Sequence, residues 1–311
     1  MDPITHTMVG ATMARAGLDR RTPLAAATLM LAANAPDIDI VTMFAGSFDG
    51  IAFRRGWTHG PVALGVLPFI VTALVLAWDR LIRRRRDIAL APVDARWTLI
   101  IACIGVISHP ALDWLNTYGI RLLMPFSDRW FYGDGVFIID LWLWVMLGLA
   151  LFLPRRTTRR VRAFGATALV YIALMIAGSA VAERIAHRAA SAHGIADVRE
   201  VMYAPMPARP LAGGLIIVTT TDYHFGDFRW LALGDDRVRM DGNVIARGDW
   251  SAPAVQEAMR TEDVRQYLVW SRYPFVRTEP VDGGMAVTFG DARFSDGFAA
   301  GGLEGLRVIV R

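Results

Sequence analysis

Seven ionisable residues lie within or at the ends of apolar stretches, where burial makes each of them costly: His6, Asp37, Asp39, His59, His109, Asp113 and Asp140. His109 and Asp113 are four apart, so on a helix they share a face and can offer one imidazole and one carboxylate to a single ion. Asp37 and Asp39 follow Pro36. In an extended backbone, residues i and i+2 point the same way, which predicts that both carboxylates face one site. His59 opens an apolar segment within Arg55-Gly56-Trp57-Thr58-His59-Gly60, and His6 opens the first. One such residue near a helix end is usually a cap or a satisfied polar group, but capping does not require so many on one side. Three imidazoles with several carboxylates suit zinc, manganese or iron, and the set is too rich in histidine for calcium.

The elements that must position them are apolar helices. A helix needs about 20 apolar residues to cross a bilayer. Residues 163–182 carry no charge, and 61–78 carry none and contain Pro68. Residues 97–115 are apolar except for His109 and Asp113, and 137–153 except for Asp140. Two shorter stretches, 4–16 and 23–35, flank a polar turn at 18–22 and predict a helical hairpin. At roughly 1.5 Å per residue its arms are short for full crossings, so the hairpin is expected to be partly immersed and packed on the others. That fold back brings His6 to the level of Asp37. With no basic stretch before Arg15, the amino-terminal segment is not expected to be a cleaved signal peptide.

Arginine bias predicts the orientation. One set of loops holds Arg15, Arg20 and Arg21, then Arg80 and Arg83 to Arg86, then five arginines between Arg155 and Arg162. The opposite loops hold only Arg54, Arg55, Arg121 and Arg129. The first set is expected in the cytoplasm, which leaves residues 36–60, 116–136 and everything after 183 on the outer, periplasmic face of a bacterial inner membrane. Every one of the seven ionisable groups then falls at the outer end of its segment.

Composition agrees. Of 311 residues 54% are hydrophobic, and the excess lies before residue 183. The net charge is +4 with no lysine, and the arginines flank apolar segments; nucleic-acid binding is not expected, and membrane lipids are the expected partners. The single cysteine, Cys103, excludes a disulfide framework or a cysteine-based zinc cluster and reads as packing. His187, His193 and His224 read as structural or surface residues. Beyond 183, short alternating runs at 215–221, 228–233, 237–240, 285–289 and 306–310, punctuated by Gly-Asp, Asp-Gly and Gly-Gly, predict antiparallel strands, with one helix at about 252–270. The expected fold is therefore a multi-pass α-helical membrane bundle over 1–182, followed by a mainly-β (α+β) extramembrane domain over 183–311.

Four blocks in order carry a family resemblance. Asp2-Pro3-Ile4-Thr5-His6, Pro36-Asp37-Ile38-Asp39, Arg55-Gly56-Trp57-Thr58-His59 and His109-Pro110-Ala111-Leu112-Asp113-Trp114-Leu115-Asn116-Thr117-Tyr118-Gly119 resemble the bacterial inner-membrane metal-dependent hydrolase family. Its members are also labelled LexA-binding, inner-membrane-associated hydrolases. The resemblance covers residues 1–145, and Asp140 fits its pattern. It implies a metal site from His6, Asp37, Asp39, His59, His109 and Asp113, and a hydrolytic activity without a particular substrate.

The chemistry expected of such a site is hydrolysis by a metal-bound water, whose pKa falls to roughly 7 on the ion. Zinc is the expected ion, with manganese or iron suited to the same donors. Asp39 or Asp113 is the expected general base. Arg55 is expected to pair with a phosphate, and Asn116 and Thr58 to orient substrate or ligands. A site at headgroup level favours an amphiphilic substrate, such as a phosphoester in a lipid or lipid-linked precursor. There is no H-E-x-x-H and no G-x-S-x-G. The alternative is a non-enzymatic membrane protein with a structural polar or metal core and a partner-binding periplasmic domain. An ion transporter fits less well, because the polar groups gather at one face and form no path through the bilayer.

Overall fold

Helix α1 (Pro3–Arg15) begins where Asp2 accepts hydrogen bonds from the Ile4 and Thr5 amides, with Pro3 at the first helical position. It is followed by α2 (Ala25–Asn34), a 3₁₀ segment (Ala35–Phe44), α3 (Asp49–Phe53) and α4 (Pro61–Trp78). A π turn (Asp79–Arg83) leads from α4 into α5 (Arg84–Arg86). Then come α6 (Ala95–Asp113), α7 (Leu141–Phe152) and α8 (Thr158–Ala189). The computed structural model describes residues 1–44, 49–154, 157–295 and 305–311. It divides into one unit of Met1–Asp39, Arg55–Ser179 and Pro205–Pro210, and a second of Ile40–Arg54, Ala180–Ala204 and Leu211–Arg311.

Among the described residues, three helical runs, Pro61–Arg86, Ala95–Asp113 and Thr158–His193, are long and apolar enough to cross a membrane. Their outer faces carry large exposed apolar side chains such as Phe69, Leu74, Leu169 and Leu174, as contact with lipid requires. The expected segment 137–153 is shorter as a helix. Asp140 ends its apolar run by capping α7 through the Leu143 amide, and the 12 residues that remain rise only about 18 Å, against a hydrocarbon core of roughly 30 Å. Asp140 also accepts from the Tyr171 hydroxyl at 2.8 Å, so its carboxylate is held at the start of α7.

The amino-terminal hairpin forms as expected, and glycine sets how tightly it packs. A Cβ on Gly10 of α1 would lie 2.9 Å from the Leu29 carbonyl oxygen of α2. One on Gly105 of α6 would lie 2.6 Å from the Ala32 Cβ and 3.1 Å from the same carbonyl oxygen. Helix α2 is thus gripped between two glycine contacts, each one turn from a histidine: Gly10 follows His6, and Gly105 precedes His109. The interior beside them is apolar, with Ala14, Ala25, Leu29 and Ile101 buried together.

In the second unit, β1 (Glu200–Met206), β2 (Arg209–Val218), β3 (Asp222–Arg229) and β4 (Val238–Ala246) form one sheet in that order. Helices α9 (Pro253–Ala258) and α10 (Glu262–Trp270) follow. A second antiparallel sheet orders β5 (Pro274–Val281), β6 (Gly284–Asp291) and β7 (Leu306–Val310). Ala182 and Ala186 in the last turns of α8, with Ala190 in the 3₁₀ turn that follows, pack against Val201, Tyr203, Leu215, Ile217 and Phe228, so this helix runs on past the uncharged stretch 163–182.

Several strand expectations shift. Of the run 228–233 only Phe228 and Arg229 are strand, the end of β3; the rest turns away, with Leu231 and Leu233 80% and 81% exposed. The strand itself is the preceding 222–229, where buried Tyr223, Phe225 and Phe228 alternate imperfectly with polar neighbours. Strands β1 and β5 were not expected. Both contain proline, and β5, with Pro274 and Pro280, is an edge strand, where the missing amides cost least. The single helix expected over 252–270 is two, broken at 259–261.

A buried ion pair ties this unit together. Asp291 is 1% exposed. Its carboxylate accepts from the Ser271 hydroxyl, the Arg272 and Arg293 amides, and the Arg293 guanidinium at 2.8 Å. Burial pushes its pKa up, but the adjacent Arg293 charge and these hydrogen bonds outweigh it and hold the carboxyl below its usual range. The stabilisation is therefore present above the unfolded aspartate value of about 3.9 and is lost as pH falls through the lower folded value.

Gly105→Ala should destabilise the helical unit by about 1–3 kcal/mol through overpacking. Gly65→Ala, with open space around its Cβ position, should be neutral or stabilise by up to about 1 kcal/mol; thermal melts of the full chain in detergent measure both. Asp291→Ala, which strands Arg293, should cost about 3–5 kcal/mol and remove the acid-dependent loss of β5–β6 amide protection in hydrogen exchange.

Candidate metal centre

Four elements deliver the polar residues. Helix α1 carries His6, the 3₁₀ segment after α2 carries Asp37 and Asp39, the turn before α4 carries Arg55 and His59, and the end of α6 carries His109 and Asp113. His6, His59, His109 and Asp113 are fully buried, and Asp39 is 2% exposed. Asp37, His59, His109 and Asp113 each present one ligand atom within 4.8 Å of the others.

Hydrogen bonds behind the cluster set which nitrogen faces it. His109 Nδ1 lies 2.6 Å from the Ala33 carbonyl oxygen, which can only accept, so Nδ1 carries the proton and Nε2 presents its lone pair. The Thr58 hydroxyl donates to Asp39 Oδ2 at 2.9 Å. Its oxygen then accepts from His59 Nδ1 at 2.8 Å, which leaves His59 Nε2 as a lone pair too. These assignments come from the hydrogen-bond network. The two Nε2 atoms stand 3.1 Å apart. Asp113 Oδ2 is 3.4 Å from His59 Nε2 and 3.5 Å from His109 Nε2, and Asp37 Oδ1 is 3.7 Å from His109 Nε2. Two imidazole lone pairs and two carboxylate oxygens therefore converge, a donor set that a cation lying among them would complete.

The expected ligand residues divide by position. His6 Nε2 reaches the other oxygen of Asp113, Oδ1, at 3.2 Å, and its ring stacks on His109 at 3.8 Å. The Met1 α-amine ion-pairs with the same Oδ1. Asp39 accepts from the Arg55 amide at 2.9 Å as well as from Thr58. The extended backbone expected for Asp37 and Asp39 is instead 3₁₀ helix. At about three residues per turn, i and i+2 diverge, and so the two carboxylates serve different histidines: Asp37 nears His109, and Asp39 acts on His59.

Arg55 is a hub. Its backbone is left-handed, with φ 53°, a conformation that costs of order 1–3 kcal/mol for a non-glycine residue. Its Nε lies 3.0 Å from Asp113 Oδ2, although not aligned as a hydrogen bond. Its Nη1 donates to Asn116 Oδ1 at 3.0 Å and to the Gly119 carbonyl at 3.3 Å. The guanidinium sits 4.6 Å over the Tyr118 ring. The Arg55 carbonyl accepts from the Arg121 amide at 2.9 Å. Asn116 thus stands behind Arg55, and its buried Nδ2 has no hydrogen-bond partner among the described residues.

Asp140 lies outside this group, at the cap of α7. The Ala33 carbonyl was not foreseen, because a backbone atom leaves no trace in residue type. The only signal for it was the small-residue pairing of Gly105 with Ala32 and Ala33.

The fold and the cluster together define a helical membrane protein with a buried histidine–aspartate centre. The family model described as YdjM inner membrane protein matches residues 1–185, and the chain belongs to that family. The family and the three apolar helices support an inner-membrane location. No curated protein and no solved structure matches the chain.

Removing Arg55 tests the hub. Arg55→Ala should lower stability by about 3–5 kcal/mol by leaving Asp113 without its guanidinium, and Arg55→Lys should not restore it. Arg55→Gly relieves the left-handed backbone yet should also destabilise. A gain in melting temperature for that glycine variant would mean that backbone strain outweighs the ion pair.

Proposed function

We propose that this chain is a membrane-bound, metal-dependent hydrolase of the bacterial inner membrane. The observation that carries the proposal is the meeting of four electron-pair donors whose imidazole tautomers are fixed from behind. Ligating histidines ordinarily donate their second nitrogen to a carbonyl or carboxylate, as His109 does to Ala33 and His59 does through Thr58 to Asp39. Two nitrogens on one tetrahedral ion at about 2.0–2.1 Å stand roughly 3.3 Å apart, close to the 3.1 Å between the two Nε2 atoms.

In this proposal Asp37, His59, His109 and Asp113 hold the ion, zinc by the donor set, with manganese or iron suited to the same atoms. A bound ion would supply a water of lowered pKa and a Lewis acid. His6 and Arg55 brace Asp113. Of the two carboxylates expected as general base, Asp113 faces both Nε2 atoms, whereas Asp39 positions His59 and the Arg55 backbone. Asn116, with its unused buried donor, orients substrate. Arg55, turned onto Asp113, Asn116 and Gly119, fixes the site and contributes positive charge to an anionic substrate. Asp37 keeps a side-chain exposure of 14% and is the point where water and substrate reach the cluster. The neighbouring Ile38 and Trp57 are 61% and 50% exposed, which favours an amphiphile, such as a phosphoester of a lipid or lipid-linked compound. The site and the residues after 183 are proposed to face the periplasm, on the strength of the arginine distribution.

One observation favours a second function. Three histidines and Asp113 are without exposure, as in a structural metal site closed by protein ligands. The protein would then be a non-enzymatic scaffold whose β unit binds a partner.

Elemental analysis of detergent-purified protein decides first. Near-stoichiometric zinc, manganese or iron is expected, and His59→Ala/His109→Ala should lose it. Thr58→Val should keep the fold and weaken metal affinity about 10–100-fold, as read by competition with a chelator. Hydrolysis of phosphoester lipids that falls at least about 100-fold in Asp113→Asn separates the enzyme from the scaffold. Absence of metal after reconstitution with excess ion rejects both metal-based functions.

A further inference from the structure

At the opposite end of the helices from the histidine–aspartate centre, three segments distant in sequence are sewn together. The turn after α1 reaches α8 twice: Arg20 donates to the Thr158 hydroxyl at 3.0 Å, and Arg162 Nε donates to the Ala16 carbonyl at 2.8 Å. Gly17, with φ 131°, lets the chain pass beside the Arg162 guanidinium, which a Cβ there would meet at 3.1 Å. The same turn reaches α6. The Thr22 hydroxyl accepts from the Asp94 amide at 2.8 Å, and Arg21 lies 4.6 Å over the Trp97 ring. The adjacent Val93 amide donates to Asp79 in the π turn at 3.1 Å, and Arg83 donates to the Ala91 carbonyl at 3.0 Å. One continuous face results, built from residues 15–22, 79–96 and 157–162.

The charge on this face is one-sided. These residues include twelve arginines and four aspartates. Two of the aspartates are occupied internally: Asp79 pairs with Arg83 and accepts from Val93, and Asp94 caps α6 through the Trp97 amide. Arg20, Arg21, Arg85, Arg86, Arg159 and Arg162 are exposed. Topology alone would be satisfied by scattered arginines on separate loops. Here, contacts among the loops themselves gather the charges beside apolar helix ends, with Trp78 53% exposed at the boundary. An arginine fork with a phosphate oxygen makes a charge-assisted pair, and a basic cluster at the end of a membrane helix draws anionic headgroups.

We propose that this arginine face is a binding surface for anionic phospholipid, holding headgroup phosphates across the inner ends of α4–α5, α6 and α8. It is independent of the metal centre and of the hydrolytic function. Bound lipid bridges the three segments in the same way as the Arg20–Thr158 and Arg162–Ala16 contacts, so it reinforces the helical unit from the end remote from the site.

The test uses the full-length protein, delipidated in mild detergent and mixed with phosphatidylglycerol or phosphatidylcholine, with retained lipid counted by native mass spectrometry. Phosphatidylglycerol should be retained at least about tenfold more strongly than phosphatidylcholine, and Arg20→Gln/Arg21→Gln/Arg162→Gln should lower that retention about tenfold or more. The first triple variant also removes bonds between segments. A second, Arg85→Gln/Arg86→Gln/Arg159→Gln, changes exposed charges only, should act in the same direction, and decides the matter if the first fails to fold. Arg260→Gln/Arg265→Gln/Arg307→Gln, with equal charge removed from the β unit, should leave retention unchanged. Equal retention of the two lipids, no loss in the second variant, an equal loss in the β-unit control, or displacement by inorganic phosphate at the lipid's concentration would each overturn the proposal.

Discussion

His59 and His109 face one another through their Nε2 atoms at 3.1 Å, and each has its other nitrogen engaged as a donor. Carboxylate oxygens of Asp113 and Asp37 close on the same point. Such an arrangement is unfavourable on its own, because electron pairs brought together away from water repel. Much of the helical unit serves to hold it. The glycine contacts at Gly10 and Gly105 bring α1, α2 and α6 close enough for a side chain on α6 to reach a carbonyl on α2. Arg55 keeps a left-handed backbone and places a buried positive charge against Asp113. The Asp39–Thr58 pair sets the tautomer of His59.

The same economy of polar groups recurs at both ends of α6. Its start is capped by Asp94, whose amide is bonded to Thr22 and whose neighbour Val93 holds Asp79. Its end carries His109 and Asp113. Between them the helix is apolar, with Ile101, Ala102 and Val106 buried. The charged groups of α6 are thereby kept to its two ends, as a low-dielectric surrounding demands of groups that need partners. One end collects carboxylates and imidazoles, and the other collects arginines.

In the second unit the same physical demand has a different answer. Asp291 and Arg293 are buried, but their hydrogen bonds are completed by Ser271, backbone amides and the Trp270 carbonyl, and Arg293 lies 4.7 Å over the Trp270 ring. Such a pair is stable without any ion. The contrast is informative: a buried charge satisfied by its neighbours reads as architecture, whereas lone pairs left facing one another read as a site.

The sequence by itself determined which residues are costly to bury, that His109 and Asp113 share a helix face, where three stretches long and apolar enough to cross a membrane lie, and where β7 runs. These are properties of composition and of local period, carried by residues within a few positions of one another. Tertiary structure decided what those residues do. It assigned Asp37 and Asp39 to different histidines, because the backbone there is 3₁₀ and not extended. It turned Arg55 onto Asp113 and Asn116, made Asp140 a helix cap, and brought the Ala33 carbonyl to His109. It also moved the third strand from the apolar run 228–233 to 222–229, since burial follows the sheet's packing and not the local run of leucines. Each of these depends on contacts between residues far apart in the chain, and no local period encodes the distance at which two helices meet.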